Sequence, residues 1–234
     1  EMEIREAVQL LRNELQGGDQ SEFQALAKRL GNWPLLLKLV NARLREHVRQ
    51  SEQSPNVALK YANKVLDQRS VTGFDIHDSS ERSNAVDVTL KLSLELLEEE
   101  EIIRFLELSI FPEDVDVPLD TLVKYWGKTA GMDYLDAGEF CRRLYRLSLL
   151  EQYTTKSIKI HDVIRHYLIE KAGKKNIDFH ETLLGSYGLQ QWADIPEDEP
   201  YLWNNLAYHM LEAGQSGDAY TLLTNCDYLE KKHN

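Results

Sequence analysis

The chain has 234 residues, 42% of them apolar and 28% charged, an ordinary globular balance with room for two or three small domains. No apolar run approaches the roughly 20 residues that span a bilayer, and the opening Glu-Met-Glu-Ile carries neither a basic leader nor a cleavage site, so membrane and secretory classes are not expected. The net charge of −12 is uneven, neutral over residues 1–80 and −6 in each of 81–171 and 172–234, which argues against a phosphate backbone as partner.

A glutamate in first place suggests an excerpt of a longer protein. The two cysteines, Cys141 and Cys226, do not make a disulfide framework. Both stand in apolar helical surroundings, so two buried, reduced thiols and a cytoplasmic setting are expected.

In chain order, Ile4, Val8, Leu11 and Leu15 repeat on one helical face until Gly17-Gly18. Asp19 or Ser21 can cap the next helix, which carries Phe23, Leu26, Ala27 and Leu30 and stops at Gly31. Asn32 is expected to cap a third helix from Trp33 to about Val48, with Pro34 in its first turn. Its apolar arc (Leu35, Leu36, Leu37, Leu39, Val40, Leu44) predicts a central position. Pro55-Asn56 opens a fourth helix. Residues 69–80 lack a period and read as a linker.

The second rhythm begins with a helix over Ala85–Leu97. The run Glu98 to Glu101 starts another, where acid suits the positive end of the backbone dipoles. Val117-Pro118 is expected to open a short helix ending near Trp126-Gly127, and Asp136 a further one through Leu147. Leu149–Tyr153 and Ser157–His161 read as a β-hairpin, and Asp162 as the cap of the helix that follows. Three helices and a hairpin outline a winged helix. Beyond residue 173, helices are expected at Phe179–Tyr187, Tyr201–Ala213 and Ala219–Leu229. The fold class is therefore mainly α: a small helical domain over 1–72, a winged-helix domain with a hairpin wing over 81–171, and helical hairpins over 173–234.

The sequence contains no phosphate-cradling Gly-x-x-x-x-Gly-Lys-Ser/Thr, no Gly-x-Ser-x-Gly, no His-Glu-x-x-His and no cysteine pair at metal spacing. No metal site, catalytic residue or enzymatic activity of the chain's own is expected. Arg142, Arg143 and Arg146, with Lys156 and Lys159 on the wing, leave a winged-helix DNA-binding regulator as one alternative. A purely structural interaction module is another.

Four stretches are more informative in their order than singly: Gly31-Asn32-Trp33-Pro34-Leu35-Leu36-Leu37, Leu108-Ser109-Ile110-Phe111-Pro112, Leu147-Ser148-Leu149-Leu150 and Ile158-Lys159-Ile160-His161-Asp162-Val163-Ile164-Arg165. Together they resemble the NB-ARC (AP-ATPase) family of STAND signal-transduction ATPases over nearly the whole chain. Trp203 to His209 is similar to members, bacterial ones among them, that carry C-terminal WD-repeat sensors.

The resemblance implies a regulatory portion of an ADP/ATP-gated, oligomerising switch. It implies that a P-loop domain, with its Mg²⁺, lies upstream and a repeat sensor downstream. It implies that Pro34, as the proline of the Gly-Leu-Pro-Leu motif, packs beside adenine and ribose, with Trp33 in place of the motif leucine. It implies that His161, as the histidine of the Met-His-Asp motif, contacts the β-phosphate of ADP and holds the closed form. Ile160 replaces the motif methionine, and Asp162 orients and caps. Strand alternation agrees with part of this: with Ile158 and Ile160 turned inward, His161 points away from its own core, beside a helix N-terminus that favours an anion.

Overall fold

The computed structural model describes residues 2–68 and 79–233, and these fall into two compact units. The first comprises residues 1–99 and 144–149, the second residues 100–143 and 150–234.

The first unit is built around the helix of widest apolar arc. Helices α1 (Ile4–Leu11), α2 (Gln20–Arg29), α3 (Pro34–Ser51), α4 (Pro55–Gln68) and α5 (Ser79–Leu94) follow one another. α3 packs against α1, α4 and α5. Leu36, Leu37, Leu39 and Val40 of α3 are wholly buried with Leu11, Phe23, Leu26, Leu59 and Leu66, so α3 is central as its pattern predicts. Asp19 caps α2, its carboxylate accepting from the Ser21 amide at 2.7 Å. Gly18, at φ +88°, must be glycine, because a Cβ there would meet the Phe23 ring at 2.6 Å.

α1 stops at Leu11, short of the Leu15 its apolar spacing suggests. The reason lies in α3. The buried Asn41 amide donates to the carbonyls of Leu11 at 3.0 Å and Asn13 at 2.8 Å, satisfying the groups that a helix end leaves open. α5 starts at Ser79, ahead of the expected Ala85. Its polar first turns give no apolar signal, while Ala85, Val86, Thr89, Leu90 and Ser93 are buried as their spacing requires. The linker expected at 69–80 lies, apart from Ser79 and Ser80, outside the described residues.

The second unit opens with α6 (Glu99–Leu106) and a 3-10 turn at Glu107–Ile110. Then come β1 (Val117–Pro118), α7 (Leu119–Ala130), α8 (Tyr134–Arg146), β2 (Gln152–Tyr153), β3 (Ser157–Lys159) and α9 (Asp162–Ala172). The three strands form one antiparallel sheet in the order β1-β3-β2. Val117 stands opposite Ile158, and Tyr153 pairs with Ile158 on the other side. This is a winged-helix-like arrangement. It corrects one expectation: Val117-Pro118 is a strand, and the helix begins after it. Pro118, which has no N–H to give, stands on this edge strand where none is needed, and the Leu119 amide beyond it still donates to the Lys156 carbonyl at 2.8 Å.

The rest is helical: α10 (Lys175–Ser186), a 3-10 turn at Trp192–Asp194, α11 (Pro200–Glu212), α12 (Ser216–Leu223) and α13 (Cys226–His233). Each packs on the next, around Ile195, Leu202, Trp203, Leu206, Leu222 and Tyr228. The single helix expected over Ala219–Leu229 is two, because Asn225 interrupts it. Its side-chain oxygen accepts the Tyr228 amide at 3.0 Å, capping α13. Asn225→Ala will therefore cost about 1 kcal/mol of stability, read as a lowered urea midpoint at constant slope.

Two further expectations are corrected here. The WD-repeat likeness fails. Among the described residues strands occur only at 117–118, 152–153 and 157–159, in one three-stranded sheet, with no four-stranded blade. Of the two free cysteines, Cys141 is buried, with its thiol pushed up to about 12 by desolvation, but Cys226 is exposed. Cys226 opens a short helix whose inner face is taken by Tyr228. No helix among the described residues is long and apolar enough to cross a membrane.

Candidate functional site

The segment leading into α3 turns sharply. Gly31 and Asn32 both have positive φ, +61° and +50°, with the Asn32 amide bonded to the Ala27 carbonyl at 3.0 Å and the Trp33 amide to that of Leu30 at 3.1 Å. Asn32 is thus used as a left-handed residue. Trp33, in extended conformation, holds the N-cap position with no side-chain capping bond, which corrects the expectation of an Asn32 cap. The Asn32 side-chain oxygen is buried and has no hydrogen-bond partner among the described residues. Pro34 follows as the first helical residue and is exposed, while Leu35, Leu36 and Leu37 are buried. The leucines anchor the helix start and leave the proline ring on the surface, beside backbone amides that begin an 18-residue helix.

His161 lies in the second unit. Ile158 of the central strand β3 and Ile160 beyond it are buried, and His161 is half-buried. His161 itself, in place of the expected Asp162, is the N-cap of α9: its Nδ1 accepts the Val163 amide at 3.2 Å. The extended backbone of His161 (ψ 133°) brings the ring over the first turn, whereas Asp162 is already helical and points to solvent. Accepting at Nδ1 requires the lone pair there, so the ring proton sits on Nε2. Capping and outward donation thus use different nitrogens of one ring.

The wing and α8 offer a poor footprint for nucleic acid. Arg142 pairs with Glu139 at 3.1 Å, Arg143 with Glu101 at 2.6 Å and Lys159 with Asp114 at 2.9 Å. The Asp114 carboxylate holds the Lys159 ammonium above its ordinary range. Cations already engaged by carboxylates are not free to neutralise phosphates. Asp162 and His166, four residues apart, are both exposed, and no group of three or more metal-ligating side chains occurs among the described residues.

No family model matches the chain. Individual relatives do. Apoptotic protease-activating factor 1 of Danio rerio is 24% identical over 213 residues, covering 85% of this chain and 15% of that protein. The Rattus norvegicus protein of the same name is 25% identical over 225 residues, 90% of this chain and 16% of its own length. A disease resistance protein of Arabidopsis thaliana is 30% identical over 119 residues, 47% of this chain and 12% of its length. Distant homology links the chain to the NB-ARC superfamily. It spans about a sixth of the length of the relatives it matches.

Proposed function

We propose that the chain is the regulatory portion of an ADP/ATP-gated switch that controls self-association of its parent protein in the cytoplasm. On this reading residues 1–72 are the small helical domain, 81–171 the winged-helix domain and 173–234 the start of a helical extension. The phosphate-cradling loop and its Mg²⁺ belong to an upstream P-loop module, because the sequence here holds no such loop. This chain contributes contacts and no catalysis. Pro34 offers an exposed apolar ring to a base. His161 offers Nε2–H to a phosphate oxygen. A nucleotide that bound one arrangement of these domains better than another would shift the balance between them.

The observation that carries the reading is the division of labour on His161. Its Nδ1 is held by the Val163 amide, so the ring keeps a fixed aim with Nε2–H available. In the full-length parent, His161→Ala is expected to raise the ADP release rate about 10-fold or more, the worth of one hydrogen bond to a charged group, and to move the protein toward assemblies. An unchanged ADP off-rate together with unchanged assembly overturns the reading. The DNA-binding regulator gains no comparable support, since Lys159 of the wing and Arg142 and Arg143 of α8 are paired with carboxylates.

A further inference from the structure

We propose that His180 of α10 and His209 of α11 form a proton-sensitive latch that holds these two helices together near neutral pH and releases them on acidification. Both side chains are completely buried. Their Nδ1 atoms face each other at 2.9 Å, and Nε2 of His209 lies 2.7 Å from the Tyr201 hydroxyl. Tyr208 stands edge-on to His180 and to His209, and Phe111 edge-on to His209.

The proton count makes this arrangement bistable. An Nδ1···Nδ1 hydrogen bond needs one ring as donor and the other as acceptor. The neutral pair supplies that. With one proton added, the shared bond survives but a cation is buried among aromatic rings. With two added, both Nδ1 atoms carry hydrogens, and the bond cannot exist. A single pair of helices therefore passes from tied to repelled within two protonation steps.

Among the described residues no carboxylate acts on either imidazole to relieve that cost. From α9, the Arg165 guanidinium acts on His180. It is fixed by bonds to the Phe111 carbonyl at 2.5 Å and the Tyr208 hydroxyl at 3.1 Å. On α11, Glu212 acts on Tyr208, and Tyr201 and Tyr208 are neutral phenols raised by burial. At the C-cap of α10, Tyr187 donates to the Thr121 hydroxyl of α7 at 3.2 Å, and Lys124 of α7 is paired with Glu199. On the 3-10 turn, Glu107 is paired with Arg104 at 3.0 Å. Burial pushes His180 down to about 4, with Arg165 adding to it, and His209 to about 3, with His180 adding to it.

An opened chain titrates these imidazoles near their ordinary value of about 6.5. It therefore binds up to two more protons than the closed form as pH falls from about 6.5 toward about 4 and about 3. The opening constant then rises by up to about 10-fold per pH unit for each histidine. Between pH 7 and pH 5 this amounts to roughly 500-fold for the pair.

The test uses the 234-residue chain. Native-state hydrogen exchange, corrected for intrinsic rates, should show α10 and α11 amides opening several hundred-fold more at pH 5 than at pH 7, with α1–α4 changing far less. The double variant H180Q/H209Q should lose that difference. A pH response that is the same in α10–α11 as in α1–α4 overturns the latch. If the double variant does not fold, imidazole chemical shifts of the unaltered chain decide. Both rings remaining unprotonated down to pH 5 supports the proposal, and either ring titrating near 6.5 in the folded chain refutes it.

Discussion

Trp126→Ala is expected to be the most damaging single core truncation in the second unit, at about 3–5 kcal/mol. The indole is wholly buried on the second half of α7 and meets the Phe140 ring of α8 edge-on, with centroids 5.4 Å apart. Removing it takes apolar surface from between two helices that are otherwise joined by a short turn, and leaves a void that neighbouring Tyr125 and Cys141, both buried, are not free to fill. Urea unfolding followed by far-UV circular dichroism reads the loss as a lowered midpoint. A cost below about 1 kcal/mol would mean that the indole is not part of the packing that holds α7 to α8.

The second large effect is one of pH. Glu107 is 3% exposed, and its carboxyl is pushed up to about 7 by burial, against the pull of Arg104 at 3.0 Å and of the Thr129 hydroxyl. A carboxyl that titrates higher in the folded chain than its ordinary 4.5 favours folding when protonated. Its contribution is complete below about 4.5 and is lost as pH rises through about 7. The unaltered chain should therefore forfeit about 3 kcal/mol from this group between pH 4.5 and pH 8, and Glu107→Gln should not. The comparison is the pH dependence of the unfolding free energy in the two proteins. Superimposable profiles would show that Glu107 is ionised as easily in the folded chain as in the unfolded one. The effect runs opposite in sign to that of the His180–His209 pair over the same range, so each must be read against its own variant.

Much of the architecture is legible from spacing alone. The apolar arc of α3 identifies it as central because a helix buried on several sides has no polar stripe to spare. The hairpin around Thr154 is legible from alternation, although its strands, 152–153 and 157–159, are shorter than expected. What escapes is contact between residues distant in sequence. Asn41 looks like a polar interruption of an apolar helix, yet it closes the end of α1. Val117-Pro118 is too short to show a period, and only Ile158, far along the chain, makes it a strand. His180 and His209 are 29 residues apart and carry no mutual signal.

The candidate site divides in the same way. Pro34 and His161 stand out through the order of the motifs around them, and their exposure is a property of the folded chain. That His161, with Asp162 beside it, caps its own helix could not be read from the sequence, because both are plausible caps and only the backbone angle decides between them.

The order β1-β3-β2 has a consequence for how the chain acquires its form. β2 and β3 are neighbours in sequence and can meet early. β1 reaches β3 only after the stretch containing α7 and α8 has been drawn into a closed loop, and such long-range pairings pay their entropy before any contact repays it. The central strand is therefore expected to gain its second edge late in folding, whereas the cap that aims the imidazole two residues beyond it is a local contact that needs no such closure.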